Sequence, residues 1–116
     1  MKIKTTDLIG PTLDWAVDKC EEPVGGYKSW YQDFLDKGVL PGPRYSTDWA
    51  NGGPIIEREI AQGMRMQKGM AFYYNPGIDS FEFLMRGPTP LIAAMRCYVA
   101  SKLGDEVEVP DALFAS

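Results

Sequence analysis

Apolar residues near the start of the chain keep the spacing of one helical face. Ile9, Leu13, Ala16, Val17 and Cys20 are separated by four, three, one and three positions, which predicts an amphipathic helix with that stripe in the core. Ahead of it, Met1 to Thr5 alternates apolar and charged residues, the pattern of a short edge strand. Thr5 or Thr6 offers a capping hydroxyl, and Asp7 suits the positive end of the helix dipole. Pro11 is early enough to cost at most one backbone bond, and Glu21-Glu22-Pro23 followed by Gly25-Gly26 ends the segment. Trp15 lies off the stripe beside Leu8 and is expected to pack against a second neighbour. Tyr27, Trp30, Tyr31, Phe34 and Leu35 then recur at helical spacing before Gly38, predicting a shorter second helix. Leu40-Pro-Gly-Pro-Arg44 reads as a loop, because two prolines and a glycine interrupt any regular structure.

Beyond the loop, Pro54 presets a backbone angle suited to a first helical turn, and Ile55, Ile56 and Ile60 suit a short helix after it, although three β-branched residues equally suit a strand. Met64 to Met66 and Met70 to Tyr74 read as strands joined near Lys68-Gly69, Asn75-Pro-Gly77 as a second turn, and Phe81 to Met85 as a third strand. These connections are too short for crossovers, so the sheet is antiparallel. The best-defined helix follows, with Thr89 as cap, Pro90 at the first position and Gly104 as terminator. Leu91, Ile92, Met95, Tyr98, Val99 and Leu103 form its large apolar face, while Ala93, Ala94, Cys97, Ala100 and Ser101 make the other side small. A small face admits close approach by another helix or a second subunit, and predicts a homo-oligomer. Asp105 to Pro110 alternates charge and valine as a short strand or strap. The fold class that emerges is α+β, with amphipathic helices packed on a short antiparallel sheet.

A chain of 116 residues, 45% hydrophobic, suffices for one core and not two, so residues 1–116 form a single domain. The formal charge of −4 disfavours a polynucleotide partner, whose backbone is bound through lysine and arginine. A local arginine cluster can still be positive inside a negative protein, which leaves small anions open. Cys20 and Cys97 are expected as free buried thiols of a cytosolic protein. No apolar run approaches the ~20 residues that span a bilayer. The absence of histidine removes the usual base near neutral pH and the commonest transition-metal ligand, so no cofactor is expected.

Polar groups concentrate in Tyr45-Ser-Thr-Asp-Trp-Ala-Asn-Gly-Gly-Pro-Ile-Ile-Glu-Arg-Glu59. Here Gly52-Gly53 permits positive torsions, a helix start offers unpaired amides to an anion, and Trp49 offers a flat aromatic platform. The candidate ligand-binding residues are Tyr45, Thr47, Asp48, Trp49, Asn51, Gly52, Gly53 and Arg58, with Thr89 from the last helix completing one cleft. A glycine-glycine-proline turn that merely starts a helix, with Trp49 in the core, explains the same residues structurally. No phosphate-loop lysine, metal-ligand spacing or nucleophile elbow occurs anywhere in the chain, and no catalytic residue is assigned.

Together with Gly87-Pro-Thr-Pro-Leu-Ile-Ala-Ala-Met-Arg-Cys-Tyr-Val-Ala-Ser-Lys-Leu-Gly-Asp-Glu-Val-Glu-Val-Pro110, that stretch resembles the NinX-like bacteriophage proteins, and Leu13-Asp-Trp-Ala-Val17 with Lys19-Cys20 fits the family's opening helix. The resemblance implies a small accessory protein of phages or prophages working in the bacterial cytoplasm. It supplies no established activity. The first functional expectation is a non-enzymatic module that sequesters a small nucleotide-like anion, such as a host defence signal. The second is a hydrolase or nuclease in which Asp48, Glu57 and Glu59 hold Mg²⁺. The third is a module binding a host or phage protein through the aromatic second helix or the small face of the last.

Overall fold

The computed structural model describes residues 1–21 and 44–114. Among these residues three α-helices and five strands surround one core. Strand β1 (Lys2–Lys4) pairs antiparallel with β5 (Glu106–Glu108), Ile3 opposite Val107, so the two ends of the described chain close on each other. A 3₁₀ turn at Thr5–Asp7 follows β1, and the Thr5 hydroxyl donates to the Gly104 carbonyl at 2.6 Å. Helix α1 (Pro11–Glu21) buries Leu13, Ala16, Val17 and Cys20 as the spacing predicts. Ile9 departs from the prediction. The helix starts only at Pro11, Thr12 Oγ1 bonds both the N–H and the carbonyl of Ile9, and the isoleucine is left exposed ahead of the helix. Trp15 is buried in the core, with the Lys19 ammonium 5.7 Å from its ring centre.

The predicted helix over Tyr27 to Leu35 and most of the loop before Arg44 lie outside the described residues. Helix α2 (Trp49–Ala61) begins five residues before the proline expected to open it. The reason is Asp48: its carboxylate accepts the Ala50 N–H at 2.9 Å, and a side-chain cap of that kind fixes the start. Pro54 therefore sits inside the helix, and Gly52 and Gly53 take helical rather than positive torsions. Gly52 is required for another reason. A Cβ there would lie 2.3 Å from the Tyr45 carbonyl oxygen and 2.7 Å from Leu91 Cδ1, so its bare backbone lets the first turn of α2 settle against the first turn of the last helix.

Strands β2 (Met64–Gln67), β3 (Met70–Asn75) and β4 (Ser80–Arg86) form the expected antiparallel meander. Ala71 pairs with Met85 and Tyr73 with Glu82, which leaves Phe72 facing two residues of β4 in a bulge. Phe83, in the bulge, has φ 57°, a left-handed value that costs a bulky side chain about 1–2 kcal/mol. Helix α3 (Pro90–Leu103) has the predicted ends: Thr89 Oγ1 accepts the Ile92 N–H and Gly104 closes the last turn. Residues 91–100 are buried without exception, so α3 is the axis of the core, contacting β3, β4, α1 and α2. The small side chains Ala93, Ala94, Cys97 and Ala100 are buried within the chain, on a helix against which both α1 and α2 pack. Leu103, expected in the core, is exposed at the end of the helix.

Candidate functional site

The two starts of α2 and α3 meet through Gly52 and Leu91, and this brings Trp49 and Thr89, each at the beginning of its helix, to one end of the molecule. Trp49 is 54% exposed. That is unusual for tryptophan, which is mostly buried on average. Thr47 is exposed beside it, and Asn51 and Gly53 are partly so. The remaining predicted residues are committed elsewhere. Tyr45 is buried in the core, and Asp48 spends its carboxylate on Ala50 N–H and on the Asn51 amide. The Asn51 and Gly52 N–H groups both donate to the Asp48 carbonyl. The backbone donors that the sequence assigned to an anion at Gly52 are thus satisfied within the helix start, with an aspartate already at its positive end.

Ser46 belongs to the same support. Its N–H and hydroxyl both donate to Asp14 Oδ1, at 2.8 and 2.7 Å, tying the turn before α2 to α1. Burial raises the Asp14 carboxyl above its usual value of 3.8, while the two bonds from Ser46 and the charge of Arg44 oppose the shift.

Arg58 does not reach Trp49. Nine residues of α2 separate them, about 13.5 Å of helix rise. Its Nη1 and Nη2 grip the two oxygens of Glu21 at 3.2 and 2.8 Å, Nε donates to Glu59 at 3.1 Å, and Nη2 also donates to the Tyr98 hydroxyl at 3.0 Å. Tyr98 donates to Glu21 at 2.6 Å, and Tyr73 to the other oxygen of Glu59 at 2.8 Å. The hydrogen bonds to Glu21 push Arg58 still further above its ordinary range, and burial followed by the bond to Glu21 raises Tyr98. This cluster welds α1, α2, β3 and α3 together and forms one wall of a groove of ≈ 540 Å³ closed by Phe83, Asn75 and Lys102. The sequence signal for it was the lone tyrosine and buried acids inside helical faces, legible only once α1 and α3 are known to touch.

The acids proposed for Mg²⁺ are equally dispersed. Asp48 caps α2, Glu57 is exposed, and Glu59 is buried between Tyr73 and Arg58, eleven residues or about 16 Å of helix from Asp48. One ion with ligands at roughly 2.1–2.5 Å cannot collect them. Among the described residues no three histidine, cysteine or acidic side chains are placed to hold a metal.

The surroundings of Arg96, within α3, present a different arrangement. Arg96 is 9% exposed, the one charge in the buried run of α3. Its Nε donates to the Leu8 carbonyl and its Nη1 to the Arg86 carbonyl, both at 2.8 Å. Nη2 has no hydrogen-bond partner and no carboxylate pairs with the guanidinium among the described residues. Burial pulls Arg96 below the usual arginine range, with Asp7 opposing at a distance. Arg96 lines a cleft of ≈ 530 Å³ with Thr6, Leu84, Met85, Arg86 and the Gly87-Pro88 turn. Gly87 is obligatory there, since a Cβ would lie 2.7 Å from the Ala93 nitrogen.

Among the described residues no helix is long and apolar enough to cross a membrane. Comparison with curated proteins finds no match. The family model described as Bacteriophage P22, NinX matches residues 4–102, a span that takes in both motif stretches up to the end of α3, and the chain belongs to that phage family.

Proposed function

We propose that this phage accessory protein captures a small nucleotide-like anion in the cytoplasm of the infected bacterium and holds it without altering it, as would suit removal of a host defence signal. The observation that carries the reading is Trp49, a tryptophan inside the densest polar stretch of the chain, left 54% exposed where two helix starts meet. The fold does not use its ring as core. A base stacked on such a ring contributes about 1–3 kcal/mol and tolerates many bases. Thr47 and Asn51 are polar residues beside Trp49 in the same stretch, and Thr89 is exposed at the start of the adjoining helix.

Capture without chemistry is favoured because Asp48, beside Trp49, is committed to the cap of α2 and Glu59 to its pair with Arg58. The test is a melting screen against mono-, di- and cyclic nucleotides, followed by heating of the complex and analysis of what is released. Intact ligand is expected, together with a loss of about tenfold in affinity, or ~1.4 kcal/mol, in Trp49→Ala. A chemically altered product would move the reading to catalysis; parental affinity in a folded Trp49→Ala protein would reject Trp49 as the platform.

A further inference from the structure

The arginine that could meet the anionic end of a ligand is not Arg58, whose guanidinium is already held by two carboxylates. Arg96 is the contrasting case. A buried cation without a partner is costly, and proteins ordinarily pair it. Here two main-chain carbonyls fix the guanidinium plane while Nη2 is left undirected, at a cleft the side chain itself lines. A second cation, Arg86, stands at the same cleft on an exposed strand end, likewise without a carboxylate among the described residues. Leu84, Met85 and Pro88 supply apolar wall, and ≈ 530 Å³ is far more than one phosphate occupies, within the ~300–1,000 Å³ of small-molecule sites.

We infer that the cleft between the end of β4 and the start of α3 is a phosphoryl-binding site, in which Arg96 Nη2 and Arg86 hold the oxygens of a phosphomonoester while Leu84, Met85 and Pro88 cover the apolar part of its organic group. A planar guanidinium matches the oxygens of a phosphoryl group, and two cations suit its dianion better than a carboxylate's single charge. The chain's formal charge of −4 confines this positive feature to the cleft and sets it apart from the long basic tracks that bind polynucleotides. The inference does not depend on Trp49 and holds for phosphate alone.

The experiment is titration of the ¹⁵N-labelled full chain with inorganic phosphate and, separately, phenyl phosphate, each against sodium chloride at matched ionic strength. Both are expected to move the Arg96 Nε–H signal and the amides of Thr6, Arg86 and Gly87. Phenyl phosphate is expected to bind about tenfold tighter, since its ring removes apolar wall from water. Equal affinities would assign the cleft to free phosphate. Arg86→Gln, on an exposed side chain, leaves the fold intact and should weaken phosphate about three- to tenfold, the loss of one charged hydrogen bond. Arg96→Lys should weaken it further and is read only if its spectrum stays folded. Shifts that chloride reproduces, or Arg86→Gln with parental affinity, would overturn the site. Shifts centred on Trp49 instead would overturn it too, while leaving nucleotide capture standing.

Discussion

Two arginines on opposite sides of α3 divide the molecule. Beside Tyr98, Arg58 of α2 meets Glu21, Glu59 and the tyrosine hydroxyl, so that nearly every donor it has is used. Two residues earlier on α3, Arg96 is more deeply buried and yet meets only two backbone carbonyls. The first side spends its charge on joining four elements. The second keeps charge in reserve. A satisfied network is worth most to the fold, whereas an unsatisfied buried cation weakens the fold unless something else completes it.

Changes along and around α3 test that contrast. Met95→Ala should have the largest effect, about 2–5 kcal/mol by urea unfolding, because the side chain is fully buried on the helix that both sides share. If this variant melted with the parent, α3 would not be the axis of the core and the comparison of its two sides would lose its frame. Arg58→Met should come next, at about 2 kcal/mol, below the ~3–5 expected for a fully buried pair because the Arg58 side chain is 37% exposed. Arg96→Met should cost only about 1 kcal/mol, two carbonyl bonds lost against a buried charge removed. A larger loss for Arg96→Met than for Arg58→Met would reverse the comparison.

A smaller, pH-dependent effect belongs to the turn before α2. The Asp14 carboxyl is raised by burial, so the folded state binds a proton more tightly than the unfolded one. Its favourable contribution is complete below the unfolded value near 3.8 and is lost as pH rises through the folded value. Relative to Asp14→Asn, the parent should therefore be most stable in acid and decline on the way to neutrality. A constant difference across that range would show that Ser46 compensates the buried charge in full. Trp49→Ala should do least, within ~0.5 kcal/mol by thermal melting, as expected for a side chain the core does not use. A larger loss would make Trp49 structural and remove the basis of the capture reading.

Local chemistry explains what was legible beforehand. Thr89, Pro90 and Gly104 mark the ends of α3 through groups within a turn of each other, and Lys68-Gly69 and Asn75-Pro-Gly77 separate the strands in the same way. Asn75 even closes its own turn, its side chain accepting the Gly77 N–H at 2.9 Å. The start of α2 was displaced because Pro54 outweighed Asp48 in the reading, although a capping carboxylate fixes a helix start more directly than a ring that the interior can accommodate. The pairing of β1 with β5 joins residues at opposite ends of the chain, for which no local signal exists.

The candidate site was half legible for the same reason. Trp49 stood out by composition, but the role of Gly52 depends on Tyr45 and Leu91, distant in sequence or in the helix it faces. Arg58 read as a ligand contact because Glu21 and Tyr98 lie 37 and 40 residues away. Arg96 carried a clear mark, a single charge in the otherwise uncharged run 91–100, whose meaning needed the positions of Leu8 and Arg86.

Phe83 bears on how the protein behaves when crowded. Among the described residues β4 is one of the two edge strands of its sheet, and it exposes Phe81 and Leu84. A straight strand of that composition would be a template on which further chains could add. The extra residue opposite Phe72 breaks the even spacing of its N–H and carbonyl groups, and the left-handed turn at Phe83 bends the strand away from a flat edge. The strain held at one phenylalanine thereby leaves this edge a poorer template for strand addition.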